Sequence, residues 1–163
     1  TDSTYAYDSS GENWHGPRTL IAQLPTKNQW SNVSLKNVTR TIFNEISGNT
    51  TTGGTLPSNF SYEGYAARLL TVEEIRQATR KSNIPTLEVG ELNNAIYLME
   101  NTRFSSKNNG PWAWWLENSS SNYSNMAQNA SGNTCNVNGN YVQDAGGNGV
   151  RPAIEVSKIN IDY

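Results

Sequence analysis

The apolar residues fall into short runs, and the runs differ in period. Near the C-terminus, GVRPAIEVS over residues 149–157 alternates, leaving Val150, Ala153 or Ile154, and Val156 available to a core. Such alternation marks a half-buried strand, here the closing one. Residues 112–117, WAWWLE, predict a buried strand, because aromatic side chains suit a pleated surface. Between these runs Thr134, Asn136, Asn138 and Asn140 fall on one side of an extended segment. Cys135, Val137 and Gly139 fall on the other. This strand pairs with residues 124–130 as a hairpin, through a turn at Ser131, Gly132 and Asn133.

Two helix openings stand out. Thr26 precedes Gln29, and Thr71 precedes Glu74, each at the spacing of a capping box. The first predicts two to three turns from about Lys27, breaking near residues 35–37, with a strand or second short helix over 40–46. The second predicts a helix from Val72 to Arg80, with Val72, Ile75, Ala78 and Thr79 towards the core. Glu73 and Glu74 in its first turn and Arg80 and Lys81 in its last suit the helix dipole. Residues 1–16 read as an extended opening segment, with a short strand around Tyr5 and Tyr7. Residues 18–24 read as a strand or a docking segment. Residues 48–60 and 105–111 read as loops, and 92–99 as a short helix or strand.

Composition then narrows the function. A chain of 163 residues is enough for one domain with a core. It begins at Thr1 rather than Met, which reads as a processed or trimmed form, and no apolar run is long enough to span a bilayer. A membrane link is expected only through an anchor that this chain does not carry. The net charge of −2, with Lys and Arg scattered, argues against a nucleic-acid partner. Charged residues make up 16% of the chain, below the usual share of about 25%. Asparagine (23 residues), Ser, Thr and Gly supply the polarity instead. The seven Asn-x-Ser/Thr sequons follow from that composition. Between Lys107 and Arg151 there is no Lys or Arg, and from Trp112 to Asn148 the only charges are Glu117 and Asp144. Asn is a poor strand former, so an Asn-lined sheet face fits selection for binding. Tyr, Ser, Gly and Asn also dominate antibody paratopes. From composition alone, an ordinary solvated face is an equal reading.

Catalytic readings find less support. Cys135 is a single cysteine on the apolar side of its strand, where an inert small hydrophobe is the commoner role. A dyad of Cys135 with His15 is conceivable, but His15 also reads as a packed or exposed imidazole. Glu63, Glu117 and Asp144 offer carboxylates for glycoside hydrolysis without a spacing that selects a pair. Zinc would need several His or Cys ligands, so neither metal nor cofactor is expected. Trp112 and Trp114 share a face opposite Ala113 and Trp115, and an exposed Trp beside the Asn-rich face is a natural hot spot.

Three motifs in order also resemble a known family. ARLLTVEEI over 67–75, WWLE over 114–117 and GVRPAIEV over 149–156 resemble a bacterial branch of the C-type-lectin-like fold, related to formylglycine-generating enzymes. The resemblance runs from about residue 20 to the C-terminus. That branch includes the variable proteins of diversity-generating retroelements, whose C-terminal segment is rewritten by adenine-directed mutagenesis. QWSNVSL over 29–35 is similar to surface proteins that follow a pilin-like anchor. The animal-lectin calcium motifs are missing, so a sugar ligand is not implied.

The resemblance implies one α+β domain over 1–163 of C-type-lectin-like type, two helices packed on a small, twisted, mostly antiparallel sheet, with residues 112–151 as a variable ligand-binding region. It implies a non-catalytic recognition protein at a cell surface or on a virion, with a macromolecular, protein ligand. The expected contacts are Trp112, Trp114, Tyr123, Asn125, Asn129, Ser131, Asn133, Thr134, Asn136, Asn138, Asn140, Tyr141 and Asp144. Gln128, Gln143 and Met126 are expected to be scaffold or peripheral. The alternatives are a pilin-like structural subunit with a solvated polar face and, further off, a carbohydrate-active enzyme.

Overall fold

The computed structural model describes residues 3–33, 35, 39–41, 59–72, 74–75, 113–120, 123–131 and 136–156, and its axis is the strand β3, Ala113–Ser119. To number the strands in chain order, β1 is Thr39–Thr41 and β2 is Asn59–Ser61, which form a small antiparallel pair of their own. The main sheet has β4 (Met126–Ser131), β5 (Asn136–Tyr141) and β6 (Asn148–Gly149) around β3, in the order β5-β4-β3-β6. β4 runs antiparallel to β3, with Trp114 opposite Ala130 and Trp115 opposite Asn129. β5 runs antiparallel to β4, and β6 parallel to β3.

β3 is buried along its whole length. Its alternation sends Trp115 to one face and Trp114 to the other, so both faces need cover. On the Trp115 face lies the main core: Tyr7, Leu20, Leu24, Leu35, Tyr62, Leu69, Ala127, Val142 and Val150. Burying an aromatic side chain removes about 150–250 Å² from water. That is worth roughly 4–6 kcal/mol before ordering entropy is subtracted.

The N-terminal segment is part of this cover. The Tyr7 ring packs 5.6 Å from Trp115, and its hydroxyl donates to Glu117 O at 2.7 Å. Trp115 Nε1 donates to Tyr5 O at 2.6 Å, and the Tyr5 amide donates to Asn148 O at 2.9 Å. The segment is docked rather than paired as a strand. It then passes through two short 3-10 turns, Asn13–His15 and Leu20–Gln23. The run over 18–24, expected as a strand or docking segment, thus docks by burying Leu20 and Leu24.

The expected fold of two helices on a sheet, and with it the C-type-lectin-like assignment, is corrected here. The architecture is mostly strands, the sheet curls into a half-barrel, and no helix of seven residues or more occurs among the described residues. Both capping boxes do form. Thr26 N–H donates to Gln29 Oε1 at 2.9 Å, and Gln29 N–H to Thr26 Oγ1 at 3.4 Å. Thr71 N–H donates to Glu74 Oε2 at 2.8 Å, and Glu74 N–H to Thr71 Oγ1 at 3.1 Å. A capping box satisfies the first donors of a helix, but it does not propagate one. After Thr26 the chain makes only turns, because Trp30 and Val33 form no buried stripe and Trp30 is left exposed. After Thr71 one helical turn is seen at Val72, Glu74 and Ile75, and residues 76–80 lie outside the described residues. Of the strand or short helix expected over 40–46, Arg40 and Thr41 lie in β1; of the loop expected over 48–60, Asn59 and Phe60 lie in strand β2 instead; the rest of both, with 92–99 and 105–111, lies outside the described residues.

The closing strand is also shorter than expected. Only Asn148–Gly149 pairs with β3, and Ala153 then bridges Arg68 through backbone bonds of 2.8 and 2.9 Å. Ile154 and Val156 face outward, not into the core. The inward side is taken by Ala153 and Glu155, because Arg68 claims the latter. Arg68 Nε donates to Glu155 Oε1 at 3.0 Å, Nη1 to Glu74 Oε2 at 2.8 Å, and Nη2 to Glu74 Oε1.

This network sets a pH dependence. Burial raises the Glu74 carboxyl, but the hydrogen bonds from Arg68 and Thr71 outweigh it and hold the group below its ordinary value of 4.5. A depressed carboxyl stabilises the fold above its ordinary value, and that stability is lost as pH falls through the lowered one. The melting temperature should therefore drop as pH is lowered below about 4.5, by less in Glu74→Gln than in the parent, read by circular dichroism melts.

Candidate functional site

The expected β4–β5 hairpin forms, and its register decides what each asparagine does. Asn129 lies opposite Asn138, Ala127 opposite Asn140, and Ser131 opposite Asn136. Directly opposed residues share a face. The Asn row of β5 therefore lies on the face of Ala127 and Asn129, which continues through Trp115 and Val142 into the core. The alternation is as expected, but the Asn side is not the fully solvated one: Asn138 and Asn140 are half-buried.

Several expected contacts turn out to be structural. Trp114 is 1% exposed, beneath the Arg151 guanidinium, which sits 5.2 Å from the ring centroid. It is not a surface hot spot, because β3 is covered on both faces. Asn129 is buried and donates Nδ2 to Asn148 Oδ1 at 2.6 Å. The two residues belong to strands on either side of β3, so their amides meet over it, where Ala113, in register with Asn148, has only a methyl group. Asn140 donates Nδ2 to Asp144 Oδ2 at 3.0 Å and accepts from the Tyr141 amide at 2.8 Å. Asp144 Oδ1 accepts from the Gly146 amide at 2.7 Å. Asn140 and Asp144 thus build the turn after β5.

What remains exposed is brought together at one end of the hairpin. Tyr123 and Tyr141 are each 60% exposed, and Asn125 is exposed beside them. The Met126 amide donates to Tyr123 O at 3.2 Å, closing the turn that carries Tyr123 and Asn125. The Val142 amide donates to Asn125 O at 2.9 Å, and Tyr141 lies opposite Met126. Gly139 is exposed next to them, and a Cβ there would come within 3.2 Å of Met126 Cε. The result is an uncharged surface of two phenols, an amide and bare backbone. Ser131 and Asn136 are described as strand positions only, and Trp112, Asn133, Thr134 and Cys135 lie outside the described residues.

Gln143, expected to be scaffold or peripheral, is exposed on the turn after Tyr141 and reaches back towards Ser9 O at 3.5 Å. Sequence reasoning missed one residue here. Asn13 was not singled out, yet its Nδ2 lies 2.7 Å from the carbonyl oxygens of Ser120, Tyr123 and Met126. No local pattern announces contacts that span 107 to 113 residues.

The residues weighed for catalysis sit as follows. Glu117 is buried, and Tyr62 donates its hydroxyl to Glu117 Oε2 at 3.2 Å. Burial, then the Glu117 carboxylate, pushes the Tyr7 and Tyr62 phenols well above their ordinary value, so both remain donors. Glu63 is exposed. His15 stacks on Trp14 at 3.7 Å, and its Nδ1 lies 3.1 Å from Asp8 Oδ2 and 3.3 Å from Ser10 Oγ. A hydrolase relay uses opposite ring nitrogens for the acid and the hydroxyl. Here both partners share one nitrogen. Among the described residues no group of three or more His, Cys, Asp or Glu is placed to hold a metal ion. Compared with family models, curated proteins and solved structures, the chain matches none.

The division into buried and displayed residues is measurable. Asn129→Ala strips the buried Asn148 amide of its partner and should cost about 1–3 kcal/mol in urea unfolding. Tyr123→Ala and Tyr141→Ala should each stay within about 0.5 kcal/mol of the parent.

Proposed function

We propose that this protein is a non-catalytic recognition module whose ligand face is built by Tyr123, Asn125 and Tyr141. The observation that carries this reading is the pair of largely exposed tyrosines at one end of the hairpin, Tyr123 in a hydrogen-bonded turn and Tyr141 at the end of β5, on a scaffold that buries Tyr7, Tyr62, Trp114 and Trp115. Tyr offers a large amphipathic contact at low entropic cost, and Asn offers a donor and an acceptor that adapt to a partner. Exposed aromatic residues of this kind are where binding energy concentrates in protein interfaces. Residues 118–150 contain one charged side chain, Asp144, so the face fits a macromolecular, protein ligand recognised by shape and neutral hydrogen bonds. The proposed setting is a cell or virion surface. Residues 112–151 are proposed to be diversified by a retroelement, displayed on a mostly β scaffold instead of a two-helix one.

The test is the distribution of changes among sibling copies of the coding segment. Substitutions should concentrate at Tyr123, Asn125 and Tyr141. Asn129, Asn140, Asp144 and Asn148 should stay fixed, because their amides and carboxylate are bonded inside the fold. Changes spread evenly over the domain, or as frequent at Asn129 as at Tyr123, would defeat the proposal.

A further inference from the structure

We infer that Asn13 is a positioning residue for the recognition turn, and that the N-terminal segment clamps the ligand face in shape. The purpose given to the clamp rests on the recognition reading above, whereas the clamp itself rests on geometry. Asn13 is buried in the 3-10 turn Asn13–His15. Its side-chain amide donates to three carbonyl oxygens, those of Ser120, Tyr123 and Met126, each at 2.7 Å. Two N–H groups serve three acceptors, so one is shared. Its backbone N–H donates to Ser124 O at 2.6 Å. A single residue thus ties both arms of the turn that carries Tyr123 and Asn125.

The same segment holds the neighbouring end of β5. The Asp8 amide donates to Val142 O at 3.1 Å, and Gln143 Nε2 reaches Ser9 O at 3.5 Å. Between Asp8 and Asn13 lies Gly11, with φ at +88°. A Cβ there would lie 2.8 Å from Gln143 Nε2. A side chain at this position would both strain the backbone and displace Gln143. Residues 8–13 therefore contact the turn of Tyr123 and the turn after Tyr141 together.

The chemistry at position 13 is specific. Three carbonyl dipoles converge on it, so the residue must donate there. An alanine leaves the three oxygens without that donor, and a carboxylate adds acceptors facing acceptors. Asn13 sets the geometry of Tyr123 and Asn125 without itself forming the face.

Amide hydrogen exchange on the whole chain, with no ligand added, tests the clamp. Asn13→Ala and Asn13→Asp should speed exchange at Ser120, Met126 and Val142 by about tenfold or more, with Asp the more severe. The central amides of β3 and β4 should change by less than about twofold, since local opening leaves the core closed. Equal acceleration across the sheet would reduce Asn13 to general stability and overturn the inference. Unchanged exchange at the three amides would overturn it as well. If neither Asn13 variant folds, Gly11→Ala is read at the same amides: selective acceleration supports the clamp, and uniform or absent acceleration overturns it. Binding is not read in this experiment, so its outcome stands apart from that of the recognition reading.

Discussion

The constraint on which the rest depends is that β3 is buried on both faces. Its backbone is paired by β4 on one side and β6 on the other, but its side chains need cover above and below. Trp115 is the larger demand, and strands alone do not meet it. Tyr5 and Tyr7 close over it, one accepting from the indole and the other packing its ring against it. Laying the N-terminal segment there brings residues 8–13 to the open end of the hairpin. The position of the proposed ligand face thus follows from how the central tryptophan is covered.

A second theme is the division of labour among the asparagines. Asn118 Oδ1 accepts from the Val72 amide at 2.8 Å, tying the capped turn to β3. Asn13, Asn129, Asn140 and Asn148 likewise bond inward. An amide side chain donates and accepts without carrying charge, so it satisfies buried backbone groups more cheaply than an ion. Among the described residues, part of the Asn content is therefore internal fastening.

The legible parts of the fold were those set by local pattern. The aromatic run at Trp114 and Trp115 and the alternation from Asn136 to Asn140 located β3 and β5, and the hairpin with β4 followed. Alternation names two sides but not which one meets water. That was decided by Trp115 and Val142, which draw the Asn side inward. The capping boxes at Thr26 and Thr71 were read correctly as starts, but a start carries no information about length. Ile154 and Val156 were misplaced because the facing of that segment is set by Arg68, far away in sequence. At the proposed site, Tyr123, Asn125 and Tyr141 were expected from the family resemblance and are exposed, whereas Asn129, expected on the same ground, looks identical to a displayed asparagine until its partner Asn148 is seen. Asn13 had no signal, since all its partners lie on the distant segment between Ser120 and Met126.

That distance matters for assembly as well as for shape. Closing a loop of about 110 residues costs roughly 4 kcal/mol of chain entropy by length scaling alone. During synthesis, the segment around Asn13 emerges long before Tyr123 and Met126 exist to receive it. The fold cannot complete this end until most of the chain is made, so the proposed recognition surface is a late product of folding.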